Sequence, residues 1–91
     1  FLRPGAADGS LELCLAHQLG LTEVSHGTLR GATIELAADA SGIVRSATGS
    51  DVTGLARRYR VEGDVLHYEL DMQTGATPMS RHLEATLQRV P

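Results

Sequence analysis

The sequence predicts an all-β fold, an antiparallel meander of short strands, and three observations support this prediction. Apolar and polar residues alternate with the period of two that is typical of half-buried strands. Turn residues, many of them glycines, separate these segments at intervals of about 8 to 12 residues. No segment combines helical periodicity with clear helix caps, although the last one leaves a little room for a short helix.

In the first half of the chain, Leu11, Leu13 and Leu15 alternate with more polar or smaller residues, which predicts a strand. Gly20 permits the positive φ that a tight turn requires, so this strand and the next are predicted to form a hairpin. The predicted elements are strand 11–16, turn 18–20, strands 21–26, 28–30 and 33–37, and a polar loop from Asp39 to Ser50.

In the second half, Leu66, Tyr68, Leu70 and Met72 recur at every second position, so they share one face of a strand. This face is predicted to line the interior of the domain. The predicted elements are strand 52–61, turn 62–64, strand 65–72, loop 74–78 and strand 83–90.

Composition excludes several classes of function. The 91 residues carry a net charge of −3 without a basic stripe, which argues against nucleic acid as a partner. Cys14 is the only cysteine, so no internal disulfide can form and a reducing compartment is expected. No apolar run has the roughly 20 residues of a membrane helix. We therefore expect a cytoplasmic protein without membrane or nucleic-acid partners.

Antiparallel strands of this kind must close into a barrel or leave exposed edges that favour aggregation. The sequence provides about six or seven strands, whereas a barrel that encloses a ligand needs about eight or more. Residues 1–3 also resemble the end of a strand whose partners lie upstream. We therefore expect residues 1–91 to be part of a larger barrel domain.

Three stretches resemble the C-terminal part of the nitrobindins, a family of haem-binding β-barrels similar to the lipocalins and fatty-acid-binding proteins. They are LELCLAHQLGLTEVSHGTLRG, DVTGLARRYRVEGDVLHYELDM and PMSRHLEATLQRV, and in this order they cover nearly the whole chain. The resemblance implies an up-and-down barrel of ten strands in the full domain. The family's N-terminal motif, which contains a tryptophan between glycines, is absent, as expected if N-terminal strands are missing.

The family's axial iron ligand is a histidine at the start of the last strand, and His82 in PMSRHLEA occupies this position. The resemblance implies that His82 is the catalytic residue and binds the iron of one haem b per barrel. Haem iron binds a neutral imidazole nitrogen. Covalent haem attachment is excluded because the chain lacks a Cys-any-any-Cys-His motif. Without the resemblance, a histidine at the mouth of a strand is more often a surface residue.

Strict alternation conflicts with this assignment. If Leu83, Ala85 and Leu87 line the barrel, His82 has the opposite parity and points outward. A bulge or a bend before the strand would resolve the conflict, as would packing of the apolar face on another subunit. We expect a bend after Pro78.

Three further residues are candidates for the haem site. Met72 shares a face with apolar residues and matches a methionine of the family's cavity, although it could simply fill the core. His17 continues the parity of Leu15 and matches a pocket-facing polar residue, although a histidine that caps a turn is the more common case. Ser50 stands where many relatives carry a lysine near the haem edge.

The resemblance implies an enzyme, a haem-dependent peroxynitrite isomerase that converts peroxynitrite to nitrate at ferric iron and also binds nitric oxide. It also implies pairing of barrels as a homodimer. The alternative is a carrier of a fatty acid or another apolar ligand without redox chemistry, in which Arg57 would bind the carboxylate. A third possibility is a β domain that has lost its cofactor, because Ser50 cannot replace the charge of a lysine.

Overall fold

The computed structural model describes residues 1–91 as one antiparallel sheet of eight strands with a 3₁₀ turn at Ala40–Gly42. No helix has the length and apolar character that crossing a membrane requires. The strands are β1 (Leu2–Pro4), β2 (Ser10–His17), β3 (Leu21–Arg30), β4 (Thr33–Ala38), β5 (Ile43–Arg45), β6 (Val52–Glu62), β7 (Val65–Thr74) and β8 (Ser80–Gln88).

The strands follow the chain across the sheet in the order β1-β2-β3-β4-β6-β7-β8. The short β5 lies off this path and pairs with residues 21–23 of β3, whereas β4 pairs with residues 26–30 of the same strand. β1 and β8 lie at the two edges and do not pair with each other. The fold is therefore an up-and-down antiparallel sheet, as predicted, and in this chain it is not closed.

One face of the sheet, which we call the inner face, carries most of the buried residues. Directly opposed residues of an antiparallel pair share a face, and the opposed positions Leu36, Arg57, Leu70 and Leu83 run across β4, β6, β7 and β8. Tyr68 and Met72 pack against the core cluster of this face. The core cluster consists of Leu21, Ala38, Ile43, Val52, Leu55 and Leu70.

The predicted hairpin turn at 18–20 and the predicted turn at 62–64 are both confirmed, and each contains a glycine with positive φ. Gly20 has φ of 80° between β2 and β3, and Gly63 has φ of 61° between β6 and β7. Residues with a Cβ rarely adopt this left-handed conformation. The turns fix the register in which Leu15 opposes Glu23 and Tyr59 opposes Tyr68.

The strand count and some boundaries differ from the prediction. The structure has eight strands rather than six or seven: Leu2–Pro4 and Ile43–Arg45 form additional strands of three residues each, and the predicted strands 21–26 and 28–30 are one strand, Leu21–Arg30. Ile43–Arg45 lies inside the segment predicted as a loop, and three residues are too few to show a period of two. The last strand spans Ser80–Gln88 instead of 83–90, and it contains no helix.

Candidate functional site

Three connections lie together at one end of the sheet, which we call the loop end: the turn at 18–20 and the segments 39–51 and 75–79. Backbone hydrogen bonds join them, since the N–H of Ser50 donates to the carbonyl of Leu19 at 2.9 Å and that of Gly75 to Asp51 at 3.2 Å. The four residues predicted for the site all lie in or near the loop end: His17, Ser50, Met72 and His82.

His82 lies in a β-bulge of β8. Arg81 pairs with Asp71 and Leu83 pairs with Leu70, so His82 has no partner residue on β7. A bulge interrupts the alternation, so the parity of Leu83 does not decide the direction of the His82 side chain. The expected bend after Pro78 is present as well, at Met79, and the bulge follows it inside the strand. The side chain of His82 is exposed and makes no hydrogen bond or ion pair.

Met72 lies on the inner face of β7, opposite Leu55 of β6 and Ser80 of β8. It is half-buried and packs against the core cluster. The shared face of Leu66, Tyr68, Leu70 and Met72 is therefore confirmed, whereas a contact between Met72 and a cofactor stays a prediction.

Ser50 precedes β6 and is exposed. Its backbone bonds both to Leu19 and to Val52, the second at 2.9 Å, so the residue has a fixed position in the loop end. Its side chain makes no hydrogen bond to the protein and supplies no charge. A role for Ser50 toward a cofactor stays a prediction.

His17 ends β2, and its Nε2 lies 2.8 Å from Oε1 of Glu23 on the inner face. His17 therefore points inward, as predicted, because it contacts a carboxylate that is only 1% exposed. The imidazole belongs to a buried polar network. The sequence analysis did not predict that the other residues of this network contact one another or His17.

The network is centred on Glu23 and Arg57, which are 1% and 7% exposed. The guanidinium of Arg57 donates from Nε to Oε2 of Glu23 at 3.1 Å and from Nη2 to Oε1 at 2.8 Å. Ser25 Oγ donates to Oε2 of Glu23 as well. The remaining Nη1 of Arg57 donates to the hydroxyl of Tyr68 at 2.6 Å. This ion pair has two parallel hydrogen bonds, the geometry in which arginine binds carboxylates most firmly.

Burial and hydrogen bonding oppose each other in setting the charges of this network. Burial alone would raise the pKa of Glu23, but hydrogen bonds from Arg57, Ser25 and His17 outweigh it and hold the pKa below its ordinary value. Burial would lower the pKa of Arg57, and Glu23 raises it instead. Burial raises the pKa of Tyr68, against the effect of Arg57. At neutral pH the network therefore holds a carboxylate, a guanidinium and a protonated phenol.

The lowered pKa of Glu23 predicts a loss of stability in acid. A carboxyl group whose pKa is lower in the folded than in the unfolded state stabilises the fold above the unfolded value, about 4.3 for glutamate. This contribution is lost as the pH falls through the folded-state pKa. Urea denaturation between pH 7 and pH 3 should show it, and E35Q, which removes an exposed carboxylate of β4, should keep it. Equal stability at pH 7 and pH 3 would contradict the prediction.

The position of Arg57 bears on the alternative function. Arg57 and Tyr59 are two residues apart on β6, and both are inner-face residues. However, Glu23 neutralises the guanidinium and occupies two of its donors. Arg57 is thus not available to bind the carboxylate of a fatty acid without disrupting a buried ion pair.

The residues at the loop end fit a haem. His82 provides an imidazole without a protein partner, the donor type that haem iron accepts. The inner-face side chains that follow it on β8 are apolar and open, since Leu83 is 40% and Leu87 is 56% exposed. A flat apolar group that covered them would remove this surface from water. Met72 extends the same apolar wall on β7.

An up-and-down antiparallel sheet, with an apolar wall on its inner face and an unpartnered histidine at one end, is the arrangement expected of part of a ligand-binding β-barrel. Comparison with protein families agrees, because the family described as "THAP4-like, heme-binding beta-barrel domain" matches residues 1–89. The chain belongs to this family. The predicted family, fold class and cofactor are thereby confirmed, and haem is the cofactor of this domain.

Similar proteins carry the name peroxynitrite isomerase. One from Frankia alni is 41% identical over 91 residues, covering 98% of this chain and 60% of the relative. One from Parafrankia sp. is 40% identical over 90 residues, covering 96% of this chain and 41% of the relative. The crystal structure of Rv2717c from M. tuberculosis superposes with a TM-score of 0.77 at 38% identity, covering 94% of this chain and 56% of that one. The chain spans about half the length of the proteins it matches.

Proposed function

We propose that residues 1–91 form the C-terminal part of a single haem-binding β-barrel domain that isomerises peroxynitrite to nitrate and binds nitric oxide. The observation that carries the proposal is the unpartnered imidazole of His82, in a bulge beside an apolar wall, in a chain of the haem-binding family. The names of the relatives support the reaction, and the open sheet supports completion of the barrel by further strands.

In this proposal, His82 would hold the haem iron through a neutral imidazole nitrogen. When bound, haem b would supply a ferric iron that acts as a Lewis acid toward peroxynitrite. Met72, Leu70 and Leu83 exclude water from the protein side of the cofactor. The polar network of Glu23 and Arg57 lies on the same inner face, where Arg57 is the residue of β6 directly opposite Leu70.

The reaction needs little else from the protein. Peroxynitrite and nitrate are isomers with the same charge, so the conversion consumes no electrons and needs no reductant or electron-transfer partner. The protein contributes binding, orientation and exclusion of competing ligands, while the cofactor supplies the chemistry.

One observation supports the alternative function, a carrier of an apolar ligand. A cavity of about 360 Å³ on the inner face is lined only by hydrophobic residues, among them Leu13, Leu36 and Tyr59. It lacks an anchor for a carboxylate, because Arg57 is bound to Glu23. Haem binding is therefore the better-supported function.

Two further parts of the proposal rest on the family resemblance and on composition. The barrels pair as homodimers, and the protein works in the cytoplasm, which is consistent with the single free cysteine, Cys14. Sedimentation of the haem-loaded protein tests the first part.

The test of the function uses purified protein with and without haemin. We expect haemin to give a Soret band of bound haem, and the decay rate of peroxynitrite to rise in proportion to the concentration of loaded protein, with nitrate as the product. Protein without haemin is the control and should leave the rate unchanged. Absence of the Soret band, or a loaded protein that does not accelerate decay, would contradict the proposal.

A further inference from the structure

The direction of the His82 side chain is fixed by its chain neighbours, because it makes no hydrogen bond or ion pair of its own. It lies between Arg81, which pairs with Asp71, and Leu83, which pairs with Leu70. Asp71 and Leu70 are adjacent on β7 and therefore lie on opposite faces of the sheet, as do their partners. The place of the imidazole thus depends on how firmly β8 is held on each side of the bulge.

Burial of apolar side chains does little to hold β8 in place. Leu83 pairs with Leu70, which is 6% exposed, but Leu83 itself is 40% exposed. Ala85 is the only residue of β8 that is even half-buried. β8 also lies at an edge of the sheet and has only β7 as a neighbour. Polar contacts on the outer face therefore carry more of its attachment.

Arg81 makes all the side-chain hydrogen bonds of β8. Its Nε donates to Oδ1 of Asp71 at 2.6 Å, its Nη1 to Oε2 of Glu84 at 2.9 Å and its Nη2 to Oε2 of Glu69 at 3.3 Å. Each nitrogen of the guanidinium thus binds a different carboxylate. Asp71 and Glu69 belong to β7, so two of the three contacts join the strands directly beside the bulge.

The three carboxylates have this one guanidinium in common as their counter-charge. Glu69 and Glu84 are directly opposed on neighbouring strands, a placement in which like charges repel. Loss of Arg81 would leave these charges and that of Asp71 without the cation that joins them. A single exposed ion pair contributes little, but several charges that form a network can contribute more. Arg81 therefore provides the main side-chain attachment of β8 beside His82.

We propose that Arg81 is a positioning residue that holds the bulge of β8, and with it the imidazole of His82, in the place from which it would bind haem iron. This inference rests on the proposed function, since it takes His82 as the iron ligand. A loose bulge would leave the imidazole in this place for only part of the time. The apparent affinity for haemin falls in proportion to that fraction.

Soret titration of R81Q and R60Q with haemin tests the proposal. R81Q keeps a polar side chain and removes the charge. R60Q is a matched control, because the side chain of Arg60 also lies on the outer face, is 42% exposed against 43% for Arg81, and forms an ion pair with Glu62 at 2.7 Å. We expect R81Q to lower the affinity about five- to tenfold and R60Q to change it less than about twofold.

The background H82G separates positioning of the imidazole from a general weakening of the sheet. In H82G with added imidazole, the iron ligand is no longer attached to the backbone. The double variant R81Q/H82G should therefore bind haemin as H82G does at the same imidazole concentration. A five- to tenfold loss that persists in this background would show that Arg81 affects haem binding by another route, and it would overturn the inference.

D71N covers the case in which R81Q does not fold. It hardly changes the size of the side chain and weakens the shortest of the three contacts of Arg81. We expect it to lower the affinity for haemin about two- to threefold, whereas E62Q, which weakens the ion pair of Arg60, should leave it unchanged.

The outcomes distinguish this inference from the proposed function. Wild-type affinity of R81Q for haemin, or of D71N where R81Q does not fold, would overturn the inference while leaving haem binding intact. An equal loss in the matched control, R60Q or E62Q, would overturn it as well. Absence of haemin binding by the wild-type protein would overturn the proposed function and this inference with it.

Discussion

Replacement of His82 by glycine abolishes the Soret band of bound haem, and added imidazole restores it. We expect this result because, in the proposed assignment, the imidazole of His82 would provide the only bond from the protein to the iron. Loss of a residue that merely supports an iron ligand costs about 10- to 100-fold in affinity, so loss of the ligand should cost at least about 100-fold. Haemin titration of H82G, with and without imidazole, measures both effects.

The matched control is H67G. His67 lies on the outer face of β7, where its Nε2 is 3.5 Å from the carboxylate of Glu62. This variant should bind haemin as the wild-type protein does. H82G should also keep the wild-type free energy of unfolding, measured by urea denaturation, to within about 0.5 kcal/mol, apart from the backbone effect of glycine, because His82 is exposed and has no protein partner. Wild-type haem binding by H82G would contradict the assignment.

Replacement of Glu23 by glutamine lowers the free energy of unfolding by about 3–5 kcal/mol, the cost of leaving a buried charge without its partner. In E23Q the guanidinium of Arg57 stays charged and only 7% exposed, but it faces a neutral amide. The amide is also a weaker acceptor for Ser25 and His17. Urea denaturation at pH 7 measures the change. The control E35Q, in an exposed pair 3.6 Å from Arg58, should lose less than about 1 kcal/mol.

Removal of both charges should cost less than removal of one. In the double variant E23L/R57M no unpaired charge is buried, and apolar replacements of buried ion pairs are often close to neutral in stability. We therefore expect the double variant to be more stable than E23Q. An E23Q protein as stable as the wild type would show that the ion pair contributes nothing to the fold.

The alternation of residues predicted the parts of the fold in which long strands have one apolar face. In β7, Leu66, Tyr68, Leu70 and Met72 lie on the inner face as predicted, and Gly20 and Gly63 form the predicted turns. The pattern is strong in β7 because the strand spans ten residues. In contrast, β1 and β5 have three residues each, and no periodicity can develop over that length.

The bulge at His82 could not be predicted from alternation, because a bulge interrupts it. The sequence did contain an indication of the bulge. Strict alternation places His82, the candidate ligand, on the face opposite to that of Leu83. Pairing with β7 supplies the explanation, since Leu70 and Asp71 are adjacent while their partners are two residues apart. Register between distant strands is set by the whole sheet, and a single strand does not contain this information.

The polar network was missed because its inner-face residues break the usual pattern. In β3, Glu23 and Ser25 point inward while Val24 is 40% exposed, so hydrophobicity alone assigns the wrong face. One signal was available. With a turn at Gly20, residue 23 must oppose Leu15, and a directly opposed pair shares a face. The pairing of Glu23 with Arg57 across β4 needs the folded sheet.

Binding of iron by the imidazole of His82 is tested most directly by resonance Raman spectroscopy of the ferrous haem protein. We predict an iron–imidazole stretching band that shifts to lower frequency when the histidines carry ¹⁵N, and that is absent from H82G. A wild-type spectrum without an isotope-sensitive band, or a band that persists in H82G, would show that another residue binds the iron.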